Sequence, residues 1–137
     1  MAFRIKKVAD PFYLVSILIG WGLDYKAVFD DDASSGRKAY NLLKKEFYDN
    51  DNTEAHKYIM KIKECNGIED IFSPKDFHKY ILNLPLSSSK TIPINSELAK
   101  GKKEMLARLF LEKIENGEKI IFDRQSEKKI SEIFDWL

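Results

Sequence analysis

The chain has very little cysteine and histidine. Cys65 is its one cysteine, and His56 and His78 are its two histidines. One thiol cannot form an intramolecular disulfide or a cysteine-rich zinc site, and two well-separated histidines do not indicate a metal centre by their spacing. The shortage of cysteine fits a reducing compartment, and we therefore expect a cytoplasmic protein.

A long apolar run and a dominant charge are also absent from the sequence. The longest apolar stretch, residues 11–23, is interrupted by Ser16 and Gly20 and is shorter than the roughly 20 residues of a membrane span, so we expect no membrane segment. The basic start of the chain lacks the cleavage pattern of a signal peptide. With 23 Lys plus Arg against 22 Asp plus Glu, the net charge is +1, and any contact with DNA has to be local.

The 137 residues, of which 44% are apolar and 33% charged, suffice for a domain with a real core. Strand patterns over 3–8, 25–30 and 58–62 alternate with helical patterns. This alternation predicts an α/β fold in which a small parallel sheet is flanked by helices.

The expected domain organisation has three parts. Residues 1–82 form the α/β domain, and residues 83–96, rich in serine and proline, form a linker. Residues 97–137 add two helices that pack on the same domain. The first of them is expected over 97–116, with Leu98, Met105, Leu109 and Phe110 toward a core. It is expected to end at Gly117, and the second helix is expected to be capped by Ser126.

Three consecutive acids, Asp30 to Asp32, follow the second predicted strand. Residues two apart in a strand point to the same face, so Asp30 and Asp32 can present two carboxylates to one cation while Asp31 faces the other way. Ligands of open parallel sheets bind outside the carboxyl ends of strands, and Mg²⁺ prefers oxygen ligands. The pattern indicates a magnesium site. It fits equally well an acidic turn that stabilises the next helix, which Ser34 or Ser35 can cap.

The segment from Tyr25 to Tyr40, YKAVFDDDASSGRKAY, resembles the Asp-x-Asp motif of TOPRIM domains with its following glycine. The later segment 67–77, GIEDIFSPKDF, is similar to the segment that follows this motif in nucleases of the overcoming-lysogenization-defect (OLD) family, usually fused behind an ABC-type ATPase. The apolar helix that ends at Gly20-Trp21-Gly22 resembles the element before the motif. The resemblance covers about residues 3–82, with a weaker match at 103–107.

This resemblance implies hydrolysis of phosphodiester bonds in DNA, dependent on Mg²⁺ or Mn²⁺, as in a phage-defence nuclease. By this resemblance, Asp30 and Asp32 are the first metal ligands. Glu69 and Asp70 are the acids that complete a second metal position. Lys103 is the catalytic basic residue near the scissile phosphate. By their residue types alone, Glu69 and Asp70 also fit a helix cap, and Lys103 also fits a solvated helix residue.

One element of a TOPRIM domain is missing. Such a domain opens with a strand that bears a glutamate, whereas Asp10 and Asp24 are the acids that precede Asp30 here. We therefore expect the chain to correspond to the C-terminal part of the domain, with the missing acid supplied by another chain or by a longer gene product. Expected partners are DNA, an ABC-type ATPase, a chain with the missing unit, or a second copy.

Two alternatives to a nuclease remain open. The first is a non-catalytic interaction or regulatory protein, because an open sheet edge left by the missing unit invites association. The second is a receiver-like phosphoacceptor, which would need an aspartate at a strand end and a lysine on a later strand. Lys103 lies on a predicted helix, which counts against this second alternative.

Overall fold

The computed structural model describes residues 11–86 and 93–137. These residues form seven α-helices and a sheet of two strands. In chain order the elements are α1 (Pro11–Gly20), β1 (Ala27–Phe29), α2 (Gly36–Tyr48), α3 (Asn52–His56), β2 (Ile59–Lys61), a 3₁₀ turn (Ile68–Ile71), α4 (Pro74–Asp76), a π-helical segment (Phe77–Leu82), α5 (Asn95–Leu98), α6 (Lys103–Glu115) and α7 (Arg124–Trp136). The predicted fold class, a small parallel sheet flanked by helices with further helices at the C-terminus, is confirmed.

The chain divides into two compact units, Met1–Glu64 and Cys65–Leu137. The division expected from the sequence differs, since it grouped residues 65–82 with the N-terminal part. In the structure, Phe77 and Ile81 share a core with Ala99 and Leu106. Because the segment after α4 buries its apolar side chains against the later helices, it belongs to the C-terminal unit.

The N-terminal unit is built around the parallel pair β1 and β2. Ala27 pairs with Ile59 and Phe29 with Lys61, and both strands are three residues long, shorter than the sequence pattern predicts. The unit's core consists of Val15, Phe29, Ala39, Leu43, Ala55 and Ile59. The strand predicted over residues 3–8 lies outside the described residues.

Helix α3 was not predicted from the sequence, in which the next pattern is that of a strand over residues 58–62. Its N-terminus is capped by Asp51, whose carboxylate accepts hydrogen bonds from the backbone N–H groups of Thr53 (2.8 Å) and Glu54 (3.1 Å). An aspartate cap with a glutamate in the first turn stabilises even a short helix. The strand therefore begins later, at Ile59.

Helix α1 begins at Pro11 as its sequence predicts, but it is much less buried than expected. Of its side chains, Val15 is buried. Tyr13 is 65% exposed and Ile17 is 47% exposed, and Trp21, just beyond the helix, is 75% exposed. Within the described ranges, no helix is both long and apolar enough to cross a membrane.

The helix predicted over 97–116 is interrupted. α5 ends at Leu98 and α6 begins at Lys103, and the turn between them contains Gly101, whose φ is +79°. The break changes which residues of the second segment face the core: Leu106 is buried, whereas Met105 and Leu109 are 52% and 41% exposed. The predicted core positions Met105 and Leu109 are therefore wrong, whereas Leu98 and Phe110, predicted with them, pack against the core. The predicted end of the helix before Gly117, whose φ is +74°, is confirmed.

Two helix N-termini in the C-terminal unit cap each other. Ser73 and Asp123 are the N-caps of α4 and α7, and each accepts a hydrogen bond from the backbone N–H three residues later. The backbone N–H of each cap is then bound by the opposite helix. Ser73 N–H donates to Ser126 Oγ (2.8 Å), and Asp123 N–H donates to Asp76 Oδ2 (2.8 Å).

Two further bonds complete this capping network of Ser73, Asp76, Asp123 and Ser126. Ser126 Oγ donates to Asp76 Oδ2 (2.6 Å), and the Ser73 hydroxyl donates to the Asp123 carboxylate. Ser73, Asp76 and Ser126 are at most 2% exposed. Ser126 was predicted to be a cap, but Asp123 has that position, and Ser126 joins the two helices instead. In this way the buried polar groups at both helix starts are satisfied by one another.

Replacing Ser126 with alanine is expected to destabilise the C-terminal unit by about 1–3 kcal/mol, because the buried Ser73 N–H loses its acceptor. Urea unfolding of the full chain measures this loss. The matched control is Ser131→Ala, an exposed serine on the same helix, which should change the free energy of unfolding by less than about 0.5 kcal/mol. Equal effects of the two substitutions would contradict the role given to the network.

Candidate functional site

The acidic loop Asp30 to Asp32 lies directly after β1 and leads into α2. The strand ends at Phe29, so the three acids are in a loop rather than in extended strand backbone. The prediction that strand geometry turns Asp30 and Asp32 to the same face is therefore wrong. Gly36, the first residue of α2, packs against Asp30. A Cβ atom at this glycine would lie 1.9 Å from Asp30 Oδ1 and 2.5 Å from Asp30 O. Glycine is required here because the start of the helix approaches the acid more closely than any side chain allows.

A cleft of about 800 Å³ opens beside this loop. Its polar side is formed by Asp30, Ser34, Ser35 and Lys38, and its apolar side includes Leu14 and Leu42. A volume in the range of about 300–1,000 Å³ is usual for small-molecule sites. The cleft is therefore large enough to admit a nucleotide-sized group next to Asp30.

The carboxylate of Asp32 is held by the next two serines. Its Oδ2 accepts hydrogen bonds from Ser34 Oγ (2.5 Å), Ser35 Oγ (2.7 Å) and Ser35 N–H (3.0 Å), and its Oδ1 accepts one from Ser34 N–H (3.2 Å). The Ser34 and Ser35 hydroxyls, followed by the backbone N–H groups, lower the pKa of Asp32 from 3.8 to about 2. Capping of α2 by a serine side chain was expected. Instead, both serines donate to Asp32.

Asp31 is bound to two cationic side chains that sequence reasoning did not connect with it. Arg37 Nε lies 2.8 Å and Lys61 Nζ lies 3.2 Å from Asp31 Oδ1. The hydrogen bond from Arg37 lowers the pKa of Asp31 against the opposing effect of burial, and Lys61 lowers it further. Lys61 pairs with Phe29 in the sheet. The strand register thus brings Lys61 to the loop, a relation that sequence spacing does not reveal.

Glu69 and Lys103 form an ion pair in the C-terminal unit. Lys103 Nζ lies 3.1 Å from Glu69 Oε2, and the glutamate side chain is 13% exposed while the lysine side chain is 53% exposed. A Cβ atom at Gly67 would lie 2.5 Å from Glu69 Oε2. The glycine therefore leaves room for the glutamate, and the lysine end of the pair remains accessible to solvent.

Asp70 is bound by backbone groups. Its Oδ2 accepts hydrogen bonds from the N–H groups of Asn66 (3.0 Å) and Gly67 (3.2 Å), and its Oδ1 accepts one from Ser96 N–H (2.9 Å). These three bonds fix the turn before the 3₁₀ segment and attach the start of α5 to it. Asp70 therefore acts as a structural cap, one of the two interpretations that its position in the sequence allowed.

The five predicted site residues are distributed over both units. Asp30 and Asp32 lie in one loop of the N-terminal unit, whereas Glu69, Asp70 and Lys103 lie in the C-terminal unit, where Glu69 and Lys103 are brought into contact. Across residues 11–86 and 93–137, no group of three or more His, Cys, Asp and Glu side chains is arranged to hold a metal ion. The ligand and catalytic roles of these residues stay predictions.

No family model, curated protein or solved structure matches this chain.

The Asp32 hydrogen bonds predict a specific pH dependence of stability. Because the pKa of Asp32 is lowered to about 2 in the folded chain, its bonds stabilise the folded state above pH 3.8, and this stabilisation is lost as the pH falls toward 2. The difference in free energy of unfolding between the native chain and Asp32→Ala should therefore shrink over this interval. Denaturant titrations at a series of pH values measure it.

The control for this pH series is Asp24→Ala. Asp24 is exposed in the loop before β1, and its substitution removes a carboxylate without removing the four bonds made by Asp32. If the Asp32→Ala difference stayed constant down to pH 2, the serines would not bind the ionised carboxylate in the way described.

Proposed function

We propose that this chain takes part in divalent-metal-dependent hydrolysis of phosphodiester bonds in DNA, as a TOPRIM-type nuclease domain of the OLD family. The observation that supports this proposal most strongly is the position of Asp30 and Asp32. Both follow β1 in one loop at the carboxyl end of a parallel strand, and Gly36 packs directly against Asp30. Asp30, Gly36 and the two serines that bind Asp32 line a cleft beside the end of this strand, a location where ligands of parallel sheets bind.

The donor set fits Mg²⁺ or Mn²⁺. Mg²⁺ in phosphoryl-transfer enzymes is usually bound by one or two carboxylates, with water and substrate phosphate as the remaining ligands. Asp32 Oδ1 accepts a single hydrogen bond from the described residues, at 3.2 Å, which leaves a lone pair for a cation. Asp30 and Asp32 would hold the ion, and Ser34 and Ser35 would keep Asp32 ionised and oriented. A bound ion would activate a water nucleophile and neutralise charge on the attacking and leaving oxygens.

Lys103 is the proposed contact to a substrate phosphate. Its ammonium group is half exposed and can act as a point charge toward an anion. Glu69 accepts from it at 3.1 Å and would position it until the phosphate arrives. Asp70, with three backbone donors, has a structural role and is not needed as a metal ligand in this proposal.

Substitution of Asp30 or Asp32 by asparagine is expected to lower Mg²⁺- or Mn²⁺-dependent cleavage of plasmid DNA by more than about 100-fold. Ser35→Ala, which releases one bond to Asp32, should cost about 10–100-fold in activity or metal affinity. Cleavage is followed by gel assay, and Mn²⁺ binding by electron paramagnetic resonance of the free ion. The second readout reports on the metal site even if the chain alone does not cleave.

The matched control is Asp135→Asn, which replaces an exposed aspartate of α7 and should change neither cleavage nor Mn²⁺ binding. Equal cleavage by the native chain and the Asp30 and Asp32 variants would discard the assignment. Mn²⁺ binding that is unchanged by both substitutions would discard the metal site itself.

A non-catalytic interaction protein is the second candidate, and the surface of the N-terminal unit favours it. Tyr13, Leu14, Ile17, Trp21 and Leu23, on and just after α1, are each at least 47% exposed. Several large exposed apolar side chains on neighbouring turns are typical of a contact surface. In this proposal the bonds of Asp32 and the ion pairs of Asp31 only stabilise the loop before α2.

If α1 is a self-association surface, sedimentation velocity should show the full chain forming dimers as its concentration rises. Trp21→Ser should shift the distribution to monomer because it removes the most exposed aromatic side chain of the patch. Phe134→Ser, at a 70% exposed phenylalanine of α7, is the control and should leave the distribution unchanged. A native chain that stays monomeric at its highest soluble concentration would count against self-association.

A further inference from the structure

The N-terminal unit contains a second cleft of about 640 Å³, at the C-terminal end of α2 and the start of α3. Tyr25, Tyr48 and Tyr58 line it together with four acids: Asp24, Asp49, Asp51 and Glu54. No lysine, arginine or histidine is among the described residues that line it. The cleft therefore combines aromatic rings with a strong excess of negative charge, and it uses none of the residues of the proposed nuclease site.

The three tyrosines form a compact cluster. Tyr25 and Tyr48 both stack on Tyr58, with ring centroids 5.6 Å apart in each pair and interplanar angles of 27° and 11°. The hydroxyl groups of Tyr25 and Tyr48 are hydrogen-bonded to each other. Their mutual packing fixes the rings in the absence of a ligand, and Tyr58 remains 37% exposed. The aromatic part of the cleft is thus preorganised.

The four carboxylates differ in how far their charge is compensated. Asp51 accepts two backbone N–H bonds at the start of α3, and Glu54 pairs with Lys57 at 2.6 Å. Asp24 and Asp49 make no side-chain hydrogen bond or ion pair with any residue in the described part of the chain. These two exposed acids leave the negative charge of the cleft available to a cation.

We propose that this cleft binds a small organic cation, a quaternary or alkylated ammonium compound. Carboxylates attract its charge, while tyrosine rings attract both its charge and its alkyl groups through cation–π and apolar contact. A hydrated metal ion would gain from the carboxylates but not from the rings, whereas an alkylammonium group gains from both. The volume of about 640 Å³ lies within the range of small-molecule sites, roughly 300–1,000 Å³.

The test is a titration of the full chain with choline, followed by isothermal calorimetry and by the NMR signals of the tyrosine rings. The matched ligand control is 3,3-dimethylbutanol, which has the shape of choline without its charge. Choline is expected to bind at least about tenfold more tightly than the alcohol. Choline affinity should fall as the salt concentration rises, because part of the attraction is between exposed charges.

Three variants separate the contributions of ring and charge, and a fourth is the control. Tyr58→Leu should weaken choline binding by about tenfold or more, whereas Tyr58→Phe, which keeps the ring, should retain it. Asp49→Asn should weaken binding several-fold with little structural change, since Asp49 has a φ of +48° and asparagine tolerates the left-handed region. Phe134→Leu, at a 70% exposed aromatic residue outside the cleft, should bind as the native chain does.

Equal affinity for choline and for its neutral analogue would overturn the proposal. So would native-like binding by both Asp49→Asn and Tyr58→Leu. A trimethyllysine peptide that binds at least tenfold more tightly than choline would overturn the small-molecule assignment in favour of a peptide ligand. Because Asp49→Asn and Tyr58→Phe are conservative, the proposal remains testable even if Tyr58→Leu fails to fold.

Discussion

A carboxylate that accepts backbone N–H bonds where a helix or turn begins is the interaction on which most of this structure depends. Asp32 binds the residues before α2, and Asp51 caps α3. Asp70 fixes the turn before the 3₁₀ segment and binds the start of α5. Asp76 and Asp123 join the starts of α4 and α7. Helices α3, α4 and α5 have five residues or fewer, so their unsatisfied N-terminal groups have a large effect on their stability. Acids at these positions supply the missing acceptors.

The hydrogen bonds that a carboxylate accepts also decide how well it can bind a metal ion. A carboxylate already held by protein donors is ionised and oriented, which suits a metal ligand, but it has fewer lone pairs left for a cation. Asp32 Oδ1 accepts one hydrogen bond, at 3.2 Å, from the described residues, whereas both oxygens of Asp70 accept hydrogen bonds from backbone N–H groups. This difference separates two acids that look equivalent in the sequence. In the cleft lined by Tyr25, Tyr48 and Tyr58, by contrast, Asp24 and Asp49 contribute negative charge that no ion pair with the described residues neutralises.

Part of the fold could be predicted from local sequence patterns. Proline at the start of α1, the apolar spacing of Ala39 and Leu43, and the serine cap of α4 are signals of this kind, and each acts within a few residues. The candidate site could be predicted only in part. The spacing of Asp30, Asp32 and Gly36 located the loop, but the partners of Asp31 were missed because Lys61 reaches it only through the pairing of β1 with β2.

The sequence by itself determined the α/β class, the place of most helices and the acidic loop, because periodicity, caps and turn residues act over short distances along the chain. Only the tertiary structure decided which polar groups meet. Ser73 and Ser126 lie 53 positions apart, yet a hydrogen bond joins them. Three tyrosines from separate elements form one cluster. Such contacts arise when apolar faces are buried together, and the spacing of residues along the chain does not specify them.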